Sequence, residues 1–236
     1  MTLQSDLLAL QHSDTHLDQL RHRRAHLSER SDVQTLEATL ADVDAELEKL
    51  SSRNTDLSRS QQRLEDEVAS VEKKRAEVDR KLAGGTVPRE LQALVDEGDS
   101  LRRRQRSLED DLLEVMELAE PVAAQLATSQ EQQRDLRGRL EVARTALTAA
   151  ESTVDAELRE AEVERAGAAA AIADPLLKEY ERLRARLDGV AVSELVGTTC
   201  TGCHTTLAAM ECERIRREPP DALVHCEPCG RIVVRP

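Results

Sequence analysis

From Val33 onward apolar residues recur in alternating steps of three and four: Val33, Leu36, Leu40, Val43, Leu47, Leu50, Leu57, Leu64, Val68, Val71, Val78 and Leu82. Asn54, Gln61 and Arg75 fill the positions the series skips, and the register survives them. A mean step of about 3.5 predicts a helix whose apolar seam follows a left-handed supercoil. A second series keeps the same step through Leu91, Leu94, Leu101, Leu108, Leu112, Val115, Ala119, Val122, Leu126, Leu136, Leu140, Ala143, Leu147, Ala150, Val154 and Ala161. Its weak positions are Gly98, Gln105, Ser129 and Gln133, and Pro121 falls inside it, predicting a kink or a local break near 121.

Between the two series lies Ala83-Gly84-Gly85-Thr86-Val87-Pro88. Two glycines and a proline stop a helix and permit a reversal, so the turn is expected near 84–88, with Thr86 or Val87 before the new helix and Pro88 in its first turn. The arms 1–83 and 88–170 are nearly equal, which brings the N-terminus back beside residues near 170. One long parallel homodimer is the alternative, and it has no use for the glycine pair and the proline. The first segment is helical in pattern through Leu3, Leu7, Leu10, Leu17, Leu20 and Leu27, but its register does not continue into Val33. A break or a register slip is therefore expected near 30, where Ser31 and Gln34 have the spacing of a capping box.

Asp174-Pro175 predicts a short helix capped by Asp174 and striped by Leu176, Leu177, Tyr180, Leu183 and Leu187, with Gly189 as its left-handed terminator. Periodicity then shortens. Val190–Val192, Thr205–Leu207, Ala222–Val224 and Ile232–Val234 are β-type runs. The expected organisation is a coiled-coil hairpin over 1–173, a linker helix over 174–189 and a small β-type module over 190–236. The fold class is mainly α: a long antiparallel coiled-coil hairpin followed by a small C-terminal β-type zinc ribbon.

Composition agrees with narrow seams. The chain has no Phe, no Trp and one Tyr, and a third of it is charged. A thick globular core of this size ordinarily uses aromatic rings. The net charge of -13 repels phosphate backbones. No apolar run approaches the ~20 residues of a membrane span, and the opening MTLQSDLLALQHSD is too acidic and polar for a signal peptide. A cytoplasmic location is expected.

The chemistry is concentrated in Cys200-Thr201-Gly202-Cys203 and Cys226-Glu227-Pro228-Cys229-Gly230. Two residues between cysteines let both sulfurs face one ion from a tight turn, and Gly202 and Gly230 suit the positive dihedrals or close backbone approach of such turns. In a reducing compartment two such pairs point to metal before disulfide. Four thiolates around one ion make a closed, structural, tetrahedral site, for which one Zn2+ is the first choice over iron. Cys212 lies outside both pairs and reads as a small buried hydrophobe. His204 and His225 flank ligating cysteines and read as surface residues or donors to the thiolates. His12, His16, His22 and His26 form two i,i+4 pairs and read as a solvated helix face.

Taken together, Gly84-Gly85 followed by Pro88-Arg89-Glu90-Leu91-Gln92-Ala93-Leu94, the stretch Leu108–Glu117, Tyr180-Glu181-Arg182, both cysteine pairs and Cys229-Gly230-Arg231-Ile232 resemble the bacterial C4-type zinc ribbon proteins with an N-terminal coiled-coil hairpin. The resemblance covers essentially the whole chain. It implies a cytoplasmic, non-enzymatic adaptor. Some members of that family are associated with flagellar biosynthesis or type III secretion, and nothing here places the chain in that branch.

Three functions compete. A protein-interaction scaffold would use the charged hairpin faces, such as Arg102-Arg103-Arg104 with Arg106 followed by Glu109-Asp110-Asp111. A nucleic-acid (RNA or DNA) binder would use the ribbon, where Arg214, Arg216 and Arg217 are the candidate contacts. From 196 to 236, however, Arg214, Arg216, Arg217, Arg231 and Arg235 are balanced by Glu211, Glu213, Glu218, Asp221 and Glu227, and no aromatic ring offers a stacking surface. An enzyme would need an open metal position or a catalytic constellation, and the motifs supply neither. The expectation is a non-enzymatic scaffold with a protein partner of unknown identity and no membrane, the nucleic-acid reader being the alternative; oligomeric state is left open.

Overall fold

Gly85 turns the chain at φ 84°, after the N–H of Gly84 has bonded the carbonyl of Arg80 at 3.0 Å. In this computed structural model, which describes residues 3–85, 87–219 and 222–235, that turn separates two long helices. In chain order the elements are α1 (Leu3–Ala25), α2 (Ser28–Ala83), α3 (Pro88–Ala170), α4 (Asp174–Arg186), β1 (Val192–Val196), β2 (Thr199–Cys200), α5 (Ala209–Arg217) and β3 (Ile232–Val234). Val87 caps α3, its carbonyl accepting from Glu90 at 2.8 Å and Leu91 at 3.2 Å. Thr86, the other cap considered, lies outside the described residues. None of the helices is long and apolar enough to cross a membrane, among the described residues.

Packing divides the chain into two compact units, one over Asp32–Ala143, the other joining the residues up to Ser31 to those from Arg144 onward. In the first unit α2 and α3 run antiparallel: Arg104 pairs with Glu67 at 3.1 Å, while Gln133, farther along α3, bonds Asp44, farther back on α2. Every position of the α2 seam from Val33 to Leu82, including Asn54, Gln61 and Arg75, is buried or half-buried. On α3 the seam holds except at Leu91, in the first turn of the helix, which is 46% exposed. Gly98 fits beneath Val78, where a Cβ would sit 3.7 Å from the valine methyl. Pro121 lies in an unbroken α3, so no local break occurs, and the residue is exposed.

In the second unit α1 packs along the end of α3. The interruption after α1 falls at His26–Leu27 rather than near 30, and Ser31 is already inside α2, so the Ser31–Gln34 capping box does not form. Leu27 starts the helix instead, its carbonyl accepting from Arg30 at 3.1 Å. The earlier break lets Arg24 and Arg30 converge on Glu151, with Arg24 also bonding Asp155 at 2.8 Å. The N-terminal helix does return beside residue 170: Leu7 and Leu10 share a core with Ile172, Leu176, Tyr180, Leu183, Ala191, Val192, Ile232 and Val234. The expected linker helix thus contributes core to both α1 and the sheet.

Both caps of α4 sit one residue from their expected places. Ala173 is the N-cap and Asp174 the first helical residue, because the extended Ala173 carbonyl takes the N–H groups of Leu176 and Leu177, each at 3.0 Å. At the other end Asp188 (φ 52°) takes the first left-handed position and Gly189 (φ 86°) the second, with Gly189 N–H returning to Arg184 at 3.0 Å.

The sheet has order β2-β1-β3, with β1 antiparallel to β2 and parallel to β3. Of the four β-type runs, Ile232–Val234 is a strand and Val190–Val192 reaches β1 only at Val192. Thr206 contributes an isolated bridge to Thr199, and 222–224 is not a strand. The spacer between the cysteine pairs holds α5, which has only Cys212 and Ile215 on its buried side. Two apolar residues one turn apart carry too little periodicity to announce a helix.

Candidate metal centre

The two cysteine pairs occupy turns of the same construction. In the first, Cys200 N–H donates to Thr205 at 3.1 Å and the Cys200 carbonyl accepts from His204 at 2.8 Å. In the second, Cys226 N–H donates to Arg231 at 2.8 Å and the Cys226 carbonyl accepts from Gly230 at 2.7 Å. Each turn closes through a left-handed residue directly after its second cysteine: His204 at φ 57° and Gly230 at φ 73°. The sequence marks this requirement only in the second turn, by its glycine. Gly202 answers a different one, close approach: a Cβ there would lie 2.9 Å from Ser193 Cβ and 2.5 Å from Arg231 Cδ.

The neighbouring elements bring the turns together. Cys200 ends β2 and stands opposite Leu195 of β1, while His225, next to Cys226, bridges to Ile232 of β3. All four sulfurs lie within 4.8 Å of one another, and Cys203 and Cys226 are 3.9 Å apart. Sulfurs 2.3 Å from a tetrahedral ion stand about 3.8 Å apart, so the four residues fit a single metal ion. Cys200 and Cys226 are buried, Cys203 and Cys229 half-buried. Beneath them Leu195, Leu207, Cys212, Ile215, Val224 and Val233 form a small apolar core.

The electrostatics are uneven. The Thr205 hydroxyl and N–H draw the Cys203 thiol down to about 6, whereas burial pushes the Cys226 thiol up. An ion bound here would therefore have to displace a proton that the buried Cys226 holds tightly. The Ser193 hydroxyl lies 3.3 Å from Cys200 Sγ, where it donates once that sulfur is a thiolate. Nothing in the sequence marked Ser193.

The remaining candidates separate from this cluster. Cys212 is buried on α5 and outside the four-sulfur group, as expected of a small hydrophobe. His204 and His225 are exposed, and His225 Nδ1 lies 3.2 Å from the Gly230 carbonyl. His12, His16, His22 and His26 are exposed, with the last two rings stacked at 4.0 Å. Arg214, Arg216 and Arg217 lie exposed on α5, each already engaged. Arg214 bonds Glu211 at 2.6 Å, Arg217 bonds Glu213 at 3.1 Å, and Arg216 reaches the Gly197 carbonyl at 3.3 Å.

Comparison with known proteins gives a consistent picture. The chain is 33% identical over 234 residues to the uncharacterized protein Rv2229c of Mycobacterium tuberculosis, covering 98% of this chain and 95% of that one. A solved Mycobacterium smegmatis structure superposes with a TM-score of 0.89 at 30% identity over the whole of both chains. CT398 of Chlamydia trachomatis shares the fold, with a TM-score of 0.75 at 19% identity over 99% of this chain and 98% of its own. The model of the CT398-like coiled coil hairpin domain matches residues 10–188. With that match over most of its length, the chain belongs to the CT398-like coiled-coil hairpin family.

Proposed function

We propose that the protein is a non-enzymatic adaptor, whose coiled-coil hairpin contacts protein partners and whose ribbon is held by one structural Zn2+ on Cys200, Cys203, Cys226 and Cys229. The observation that carries this reading is the closed donor set: four sulfurs within 4.8 Å of one another, enough to fill every position of a tetrahedral ion bound there. An ion so enclosed has no site for substrate or activated water, so it acts by holding the fold. Zinc suits the set because it is tetrahedral with soft thiolates and carries no redox chemistry. Reduced, metal-binding thiols suit the cytoplasm.

The preference for protein over nucleic acid rests on charge. Arg214 and Arg217 are paired with acids on their own helix, and a four-thiolate zinc centre adds negative charge to a chain of net charge -13. The test is affinity purification of the tagged, zinc-loaded protein from its native cells, split into nuclease-treated and untreated halves. The adaptor reading expects the same protein partner in both. Partners lost with nuclease, or recovery of mainly nucleic acid, would overturn it in favour of a nucleic-acid reader.

A further inference from the structure

Gln11 is a polar residue on α1, buried to 3% exposure, whose amide oxygen and nitrogen both bond the chain entering β1. Its Oε1 accepts from the N–H groups of Ala191 at 2.7 Å and Val192 at 3.1 Å. Its Nε2 donates to the Gly189 carbonyl at 3.0 Å and to Thr15 Oγ1 at 3.1 Å. One side chain thus satisfies backbone groups on three residues of a segment that is neither helix nor paired strand where it begins.

The same segment is also tied to the cysteine turns. Ser193, the next residue along, lies 3.3 Å from Cys200 Sγ. Arg231, two residues after Cys229, donates to the carbonyl of Val190 at 2.9 Å and to that of Leu187 at 3.3 Å. Residues 187–193 therefore bond both α1 and residues beside the two cysteine turns.

We infer that Gln11 is a positioning residue for the metal centre, so that docking of α1 on residues 187–193 and occupancy of the four-cysteine site are thermodynamically linked. This rests on the structural-metal reading above. A bound ion fixes both cysteine turns, which fixes Ser193 and Arg231 and presents Ala191 and Val192 to Gln11 in their bonding positions. Without the ion, the turns keep their own backbone hydrogen bonds and the small apolar core beneath them but lose the link from one turn to the other, and the partners of Gln11 are anchored more weakly. Linkage is reciprocal: whatever the metal gives to α1 docking, docking gives to metal affinity. A purely local cap would satisfy the same backbone groups and leave metal affinity unchanged.

The test measures zinc affinity of the full chain by competition with a chromophoric chelator, alongside hydrogen exchange of α1 with and without metal. Gln11→Ala should weaken zinc binding roughly tenfold, within the about 5–150-fold range of coupled sites. Val122→Ala, a core truncation in the other compact unit, should leave affinity unchanged. Chelation of the wild type should deprotect α1 amides around Gln11. In cobalt-substituted protein, Ser193→Ala should shift the thiolate-to-metal charge-transfer band, whereas Gln11→Ala should leave its position and change only affinity. Zinc affinity of Gln11→Ala within twofold of wild type, or α1 protection indifferent to metal, overturns the linkage alone. A wild type that binds no metal overturns both the linkage and the zinc reading. Should Gln11→Ala not fold, the wild-type exchange comparison decides.

Discussion

Tyr180, the one Phe, Trp or Tyr of the chain, donates its phenolic proton to Asp14 Oδ2 at 2.7 Å, and both side chains are out of solvent. Asp14 sits at a seam position of α1 where Leu would continue the pattern. Its other oxygen accepts from Arg165 of α3 at 2.9 Å and lies 3.5 Å from Arg184 of α4. A buried carboxylate is tolerable because two cations and a phenol surround it.

Tyr180→Phe keeps the ring and removes one bond to a charged group, which should cost about 1.5–3 kcal/mol in urea unfolding of the metal-loaded protein. Asp14→Leu leaves Arg165 to Glu181 and Arg184 to Asp18, takes away the phenol's 2.7 Å acceptor, and should cost about 1–3 kcal/mol. Burial, and then Asp14, hold the Tyr180 phenol above its ordinary value. The folded value exceeds the unfolded one near 10, so this stabilisation is complete below about pH 10 and declines as pH rises further. A Tyr180→Phe variant as stable as wild type would contradict this account.

Metal uptake should release protons, because burial keeps Cys226 a thiol until the ion displaces its proton. Calorimetric zinc titrations near neutral pH should show heats that scale with buffer ionisation enthalpy, and affinity should fall as pH is lowered. Cys203, already drawn to about 6, contributes to that fall only below this pH. Buffer-independent heats would show that the thiols are ionised before metal arrives. Cys200→Ser should lose stoichiometric metal binding and, with it, the ribbon.

The two turns differ in how they bear their constraints, which predicts opposite effects. Gly202→Ala places a Cβ against Ser193 and Arg231 and should destabilise the ribbon by about 1–3 kcal/mol. His204→Gly relieves a left-handed backbone and should be neutral or stabilising by up to about 1 kcal/mol. Thermal unfolding of metal-loaded proteins reads both. A clear loss in His204→Gly would mean that the imidazole supports the site.

Gln105 is a buried polar interruption of the α3 seam, 9% exposed, accepting from Arg75 at 2.7 Å and donating to Glu109 at 2.7 Å and Glu72 at 3.2 Å. Gln105→Leu alone leaves Arg75 without that acceptor and should cost about 1–3 kcal/mol. Gln105→Leu with Arg75→Leu should recover that loss or exceed wild-type stability, and should permit other registers, seen as oligomers in light scattering. A double variant less stable than the single one would refute the seam argument.

The long helices were legible because each repeats one instruction many times. A step of three and four sustained from Val33 to Leu82 cannot arise from a strand, and a single anomaly such as Arg75 does not erase it. The glycine pair with Pro88 located the turn for the same reason: its chemistry is local. Short elements were less legible. Ser31 and Gln34 have the spacing of a cap, yet the break moved to His26–Leu27, where Arg24 and Arg30 meet Glu151, more than a hundred residues away.

By itself, then, the sequence determined the helical hairpin and the four cysteines that cluster, since periodicity and the C-x-x-C spacing act between near neighbours. Only the tertiary structure decided the rest: that Asp14 and Gln11 are buried as polar anchors, that Ser193 stands beside Cys200, and that α4 belongs to a shared core with α1 and the sheet. Those roles depend on partners about 150 residues or more distant, or on a strand register, and a burial cost met by a distant hydrogen bond leaves no trace in local pattern.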